Sequence, residues 1–387
     1  MTVTERNLAR KSGDSAGGRH SRPADLRVGF VMSTEVGLRT QFLNWKACLT
    51  PDLGIDPEWI IIDWWKHGGL IERLPLVPAT IKARVRAEIQ LRGGLRTGPF
   101  DALFVAQERM FHGTNSALFR QPFFITADVT AEQLAAFGSL YSKESWGPVA
   151  WEQYKHRERR ERLRRARALF PWSQWAAESM VTDYDADPSM IHVIPPGVDM
   201  AKWRMADRIA DRKGSGPVNI LFVGGDFIRK GGDLLLDWAA KTTRRDWRLH
   251  IVTRDFFVPT HPAVRVYNRL QPNEPALLDL YANAHVFALP TRGDCYSLAG
   301  IEAMAAGLPV ILSKTGGTGD IVRDDQTGFL IPPGDGPALA ERLDYLLDNP
   351  DRRALMGCAA RQDAEARYDA KKNVQAIVQH MRDHLGR

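Results

Sequence analysis

The 387-residue chain has only three cysteines, Cys48, Cys295 and Cys358, far apart and odd in number. That excludes a disulfide scaffold and a cysteine-built zinc site, and it fits thiols kept reduced in cytoplasm. No run of about 18 uninterrupted apolar residues occurs, so the pattern holds no membrane-spanning helix. The opening Met1-Thr2-Val3-Thr4-Glu5-Arg6 and the Gly, Ser, Arg and Asp residues after it lack the apolar core of a signal peptide. Residues 1–25 therefore read as a disordered leader. Neither an internal repeat nor a low-complexity tract stands out, and no compact His/Cys/Asp cluster suggests a metal.

What is present is the composition of a globular protein, 44% hydrophobic and 25% charged, in a chain too long for one ordinary core. Two domains are expected. The net charge of +6 favours anionic partners such as diphosphates, acidic lipid or nucleic acid, without choosing among them.

Short apolar runs alternate with helical or loop segments: 26–32, 59–62, 102–105, 123–126, 168–170 and 191–194. Because the runs are continuous rather than alternating, they predict strands buried on both faces, hence a parallel sheet. Pro195-Pro196-Gly197 ends the series, and the polar, basic stretch 199–217 reads as a linker. The rhythm restarts with strands at 218–223, 249–252, 286–289 and 309–313, and helices over 232–241 and 274–284. Helices fill the rest of the chain. Two such domains, 26–198 and 218–365, would face each other across a cleft, with ligands beyond the carboxyl ends of the strands.

The chemistry concentrates after the 286–289 strand. Asp294 falls in a loop, Glu302 lies about one turn into an Ala-rich helix, and the amides near Ser297, Leu298 and Ala299 form what reads as an uncapped helix start. Unpaired N–H groups and the positive dipole end attract phosphate there. Carboxylates on either side can accept hydrogen bonds from sugar hydroxyls. Arg229 and Lys230 follow the 218–223 strand and a Gly224-Gly225 turn. Two cations at a strand end can neutralise charge on a departing diphosphate, though a solvated helix-start pair has the same pattern.

Three stretches in this order, 191–199, 220–232 and 290–334, resemble the GT-B glycosyltransferases of family 4, the group-1 type. The resemblance extends over roughly 26–385 and implies two Rossmann-like domains and transfer of a sugar from a nucleoside-diphosphate donor to an acceptor hydroxyl, with retention of anomeric configuration. By position it implies that Asp294 meets the transferred sugar, Glu302 the ribose, and the amides around Leu298 and Ala299 the diphosphate. The family usually has Glu first and Gly-Phe-Gly after it; here Asp294 and Cys295-Tyr296-Ser297 stand there. Its usual Arg after the first glycine of the cation loop is replaced by Gly225. The resemblance also implies that no metal is needed, that the acceptor is a glycan, a lipid-linked species or a small molecule, and that the last helix, 366–387, crosses back to the first domain.

Several residues keep two explanations. Gly37 stands where the family lets donor and acceptor approach the first loop, or in an ordinary turn; Arg39 and Thr40 beside it suit an anion. Asp128, closing the 123–127 strand, either orients or deprotonates an acceptor hydroxyl or caps a helix starting near Thr130. His112 is the second acceptor-side candidate. Gly316-Gly317-Thr318-Gly319-Asp320 is either the family's donor-side turn or a strand-to-helix turn. Residues 155–167 hold eight Lys or Arg against two Glu. They form a dock for anionic lipid or an acidic acceptor, peripheral at the inner face of a membrane, or a solvated helix with Glu158–Arg162 and Glu161–Arg165 pairs and a thin apolar side (Trp151, Tyr154, Leu163, Phe170) packed on the sheet.

Two other classes compete. A dinucleotide-dependent oxidoreductase would need Gly-x-Gly-x-x-Gly after a strand, which neither half supplies. A non-catalytic polyanion or membrane binder explains 155–167 but leaves the carboxylate pair and the Arg-Lys loop idle. Nucleic acid is not expected as a partner.

Overall fold

A computed structural model of the chain describes residues 25–33, 38–66, 68–75, 77–106, 117–141, 149–203 and 216–387. Gly37, His112 and most of the expected linker fall outside them.

The first half builds one parallel sheet from β1 (Leu26–Ser33), β2 (Ile55–Ile62), β3 (Ala102–Ala106), β4 (Phe123–Ala127) and β5 (Leu169–Pro171), in the order β2-β1-β3-β4-β5. Helices α1 (Leu38–Cys48), α2 (Ala79–Gly94), α3 (Ala131–Ala136), α4 (Val149–Arg165) and α5 (Gln174–Thr182) connect and cover it. Every residue of β3 and β4 is buried, as continuous apolar runs require of a sheet covered on both faces.

The second half repeats the scheme. Its strands are β6 (Val218–Val223), β7 (Trp247–Val252), β8 (Val264–Tyr267), β9 (Val286–Leu289), β10 (Val310–Ser313) and β11 (Gly328–Ile331), ordered β11-β10-β9-β6-β7-β8. The helices are α6 (Gly232–Lys241), α7 (Pro275–Asn283), α8 (Leu298–Ala305), α9 (Gly336–Asp348), α10 (Pro350–Arg367) and α11 (Ala370–Leu385). The strand order reverses between β6 and β9. Loops leaving the carboxyl ends of those two strands diverge there and open a crevice. Those loops carry Arg229, Lys230 and Asp294.

Helix α11 returns to the first domain. Ala370, Val374, Ile377, Val378 and Met381 recur at helical spacing and are buried in a core with Phe30, Trp45, Phe104 and Phe170. Asn373 donates to the Pro195 carbonyl at 3.0 Å, and Arg382 to the Gly54 carbonyl at 2.7 Å.

Three expectations need correction. The stretch 191–194 is not a strand: it makes one bridge, Leu169 to Ile191, and two further amide bonds to β5, from His192 at 2.9 Å and Ile194 at 3.0 Å. Its partner β5 is three residues long and ends in Pro171, and Pro195-Pro196 follow, so pairing has no room to extend. The short strands β8 and β11, at the two edges of the second sheet, went unread. Third, the basic run packs its thin apolar side inward as expected, with Leu163 buried, but the inner pair goes in with it: Arg162 and Glu158 are buried, 3.8 Å apart. The outer pair, Glu161 and Arg165, stays in water at 3.9 Å.

Candidate active site

A cleft of about 790 Å³ lies between the two domains. The first domain lines it with Arg39, Thr40, Trp64, Asp128, Tyr141 and Trp172; the second brings Gly225, Arg229, Lys230, Arg254, Asp294 and the start of α8 through Glu302.

Helix α8 begins with a side-chain cap, not bare as the sequence suggested. Ser297 has extended backbone angles and its hydroxyl accepts from the Gly300 amide at 3.1 Å. One of the early N–H groups is thereby satisfied. The Leu298 and Ala299 amides have no protein acceptor among the described residues, and both residues are partly exposed on the cleft wall. What the helix start could offer an anion is thus narrower than expected, two amides at the positive end of a helix.

Asp294 and Glu302 flank those amides and live in different surroundings. Asp294 is buried and forms an ion pair with Lys230. Glu302, one helical turn in, accepts a hydrogen bond from the Tyr281 hydroxyl at 2.9 Å, which occupies one of its oxygens. Burial pushes the Glu302 carboxyl up to about 7, against the smaller opposing effect of the Tyr281 bond. The same burial raises the Tyr281 phenol well above its ordinary value. Near neutrality Glu302 is therefore half-charged and poised to gain from a hydroxyl donor.

The cation loop is stitched to the Asp294 loop. Arg292 N–H donates to the Arg229 carbonyl at 2.8 Å, and the Thr291 hydroxyl donates to the same carbonyl at 3.1 Å. Arg229 and Lys230 do different jobs. The Arg229 guanidinium donates to the Tyr141 hydroxyl at 2.9 Å, the Gly293 carbonyl at 2.8 Å and Asp226 at 3.1 Å, and lies 4.4 Å over the Tyr141 ring. Its donors are largely committed to holding the wall together. Lys230 has one carboxylate partner among the described residues and lines the cleft.

Tyr141 had no signal in the sequence. It comes from the first domain, reaches into the second, accepts from Arg229 and from the Cys295 amide at 3.3 Å, and donates toward Asp294 at 3.5 Å. Burial, then the neighbouring Asp294 charge, pushes its phenol far up, so it stays a neutral donor. Arg254, at the end of β7, was also unread. Its guanidinium rests on Gly225, with Nε donating to the Gly225 carbonyl at 3.2 Å. A Cβ at Gly225 would meet that Nε at 2.8 Å. Arg254 is exposed and, among the described residues, no carboxylate lies within ion-pair distance of it. It puts a cation over the place where the resembled family carries an arginine and this chain has glycine.

The 316–320 turn backs the site rather than entering it. Gly316 has φ +53°, and a Cβ there would strike the Asp294 carbonyl at 2.1 Å. Asp320 accepts from the Gln174 amide at 2.6 Å, at the start of α5 in the other domain. Of the acceptor-side candidates, Asp128 lines the cleft, whereas Thr130 caps α3 in a reciprocal box with Gln133. The N-cap position of α3 thus belongs to Thr130 and not to Asp128.

Residues 217–349 match the family model Glycosyl transferases group 1. The chain is 34% identical over 218 residues to the D-inositol 3-phosphate glycosyltransferase of Xylanimonas cellulosilytica, covering 50% of this chain and 52% of the relative. It is 31% identical over 210 residues to that of Rhodococcus jostii, covering 49% and 46%. The chain spans about half the length of the curated relatives it matches. Among solved structures, sucrose-phosphate synthase (tll1590) from Thermosynechococcus elongatus superposes with a TM-score of 0.74 over 93% of this chain and 99% of that one, at 16% identity. Anabaena Alr3699/HepE in complex with UDP-glucose does so at 0.62, over 92% and 100%, also at 16% identity. These likenesses, with the two doubly wound sheets and the cleft between them, make the fold GT-B.

Proposed function

We propose that the chain is a family 4 glycosyltransferase that moves a sugar from a nucleoside-diphosphate donor to an acceptor hydroxyl and retains the anomeric configuration. The observation that carries this reading is the pair of amides at Leu298 and Ala299, without a protein acceptor among the described residues, set between two buried carboxylates on the wall that also carries Lys230, itself paired with Asp294. The match of residues 217–349 to a glycosyltransferase model supports the same assignment.

In this reading the diphosphate rests on the α8 amides, with Lys230 and Arg254 supplying positive charge as the leaving group departs. Arg229 positions the loop through Tyr141 and Gly293. Glu302 accepts from ribose hydroxyls, and Asp294 both meets the sugar and holds Lys230 in place. Asp128 faces the acceptor hydroxyl. The charge of the leaving group is met by amides and cations of the chain itself, so the reaction is expected to run in the presence of a chelator. A polyanion binder would have no use for the carboxylate pair.

The test is turnover of a nucleoside-diphosphate sugar with the product anomer read by NMR. Lys230→Ala is expected to lower kcat by about 10²- to 10³-fold, the cost of removing one preorganised charge. Arg254→Ala is expected to weaken nucleoside diphosphate binding by roughly tenfold or more, while leaving nucleoside binding unchanged. No hydrolysis or transfer with any nucleoside-diphosphate sugar, or an inverted product, would defeat the proposal.

A further inference from the structure

The first domain carries an apolar face that its own core does not use. Along α2, Ala87 and Leu91 are buried, yet Ile81, Val85 and Ile89 recur every fourth residue on the opposite side and are 43%, 46% and 57% exposed. The same outward line continues into Arg92 and the exposed Arg96. The order is three aliphatic side chains followed by two cations.

Two neighbouring elements extend this face. The segment before α2 exposes Trp65, Leu70 and Leu74, and is tied to the helix because Lys82 donates to the Glu72 carbonyl at 3.1 Å and Arg86 Nε pairs with the Glu72 carboxylate at 2.6 Å. On the other side, α4 exposes Trp151 and Tyr154, whose rings stack at 5.4 Å, with the Arg84 guanidinium 6.0 Å from the Trp151 ring. Single exposed apolar residues are ordinary, but a patch of this extent rimmed by cations marks a contact surface.

We propose that this face docks onto an anionic lipid bilayer. Charge selects the occupant. Around the aliphatic stripe stand Lys66, Arg73, Arg96 and, one turn along α4 from Tyr154, Arg157, all exposed. The Glu72 carboxylate is neutralised by Arg86, and Glu88 by Arg92 at 2.7 Å. A second copy of the chain would set two basic faces against each other, whereas an acidic membrane attracts each cation and accepts the aliphatic and aromatic side chains at its headgroup boundary. Trp64, beside exposed Trp65, lines the catalytic cleft, so the dock would hold the first-domain side of the cleft at the bilayer surface. The lipid contact expected of the basic run 155–167 is thus moved: Arg162 and Glu158 of that run are buried, and the aliphatic anchor comes from α2.

The experiment is co-sedimentation of the full chain with phosphatidylcholine vesicles, with and without phosphatidylglycerol, at low and high salt. The wild-type protein is expected to bind the anionic vesicles, more weakly as salt rises. The Val85→Glu/Ile89→Glu double variant should lose binding by at least about tenfold, since two aliphatic contacts are lost and two repelled charges gained. Both positions point away from the core, and an unchanged far-UV circular dichroism spectrum and thermal midpoint would show the variant folded. Equal vesicle binding by wild type and double variant, or no binding of wild type to anionic vesicles, would overturn the proposal. So would a dimer in light scattering that the double variant dissolves, which would assign the face to a second copy. None of these outcomes depends on the donor-site reading.

Discussion

Glu302 is where residue-scale physics is sharpest. A carboxyl buried beside a phenol titrates near pH 7, so its folded value lies above the ordinary 4.5. The protonated form is therefore the one the fold prefers. The stability this group contributes is complete below pH about 4.5 and is lost as pH rises through about 7, by up to roughly 3 kcal/mol at 1.4 kcal/mol per pH unit. Glu302→Gln should abolish that slope: in urea titrations at pH 5 and pH 9, the variant is expected to gain on wild type at the higher pH. Parallel pH profiles would show that Glu302 is not titrating in this range. A ribose hydroxyl donating to Glu302 favours the charged form, so donor binding near pH 7 should release a proton in wild type and not from this group in the variant.

At the scale of elements, α11 decides whether the halves are one folding unit. It follows the second domain in sequence and packs in the core of the first. Ile377 lies in that core among aromatic and aliphatic neighbours. Ile377→Ala should cost about 2–5 kcal/mol of stability in chemical denaturation, the range for deleting a buried aliphatic side chain. A loss below about 0.5 kcal/mol, normal for surface positions, would mean the helix is not structurally engaged. The element scale also shows what a sequence can disclose. The continuous run Val286–Leu289, the loop with Asp294 and the helix from Leu298 were readable because strand, turn and cap signals lie within about twenty residues of one another. Strands β8 and β11 were not: each is four residues long at a sheet edge, and Val264-Arg265-Val266-Tyr267 alternates rather than running apolar. The stretch 191–194 has the composition of a strand, but the brevity of β5 and the prolines that follow hold its pairing to one bridge and two amide bonds.

For the whole molecule, the two sheets and the cleft follow from alternating strand and helix patterns, and their orders place Lys230 and Asp294 at one switch point. What the sequence withheld is long-range. Tyr141 meets Arg229 and Asp294 across 88 and 153 positions of chain, and Tyr281 reaches Glu302 from another helix. Arg254 covers Gly225 from a neighbouring strand. No local pattern encodes such meetings, because they depend on how two domains close on each other. Gly37 and His112 lie outside the described residues, while Asp128 is set on the cleft wall by the strand it ends.

The most direct measurement is a crystal structure with a nucleoside diphosphate bound. The account predicts phosphate oxygens within about 3 Å of the Leu298 and Ala299 amides, Lys230 turned to the same group and a ribose hydroxyl on Glu302. A diphosphate seated elsewhere, with those amides still facing solvent, would contradict it.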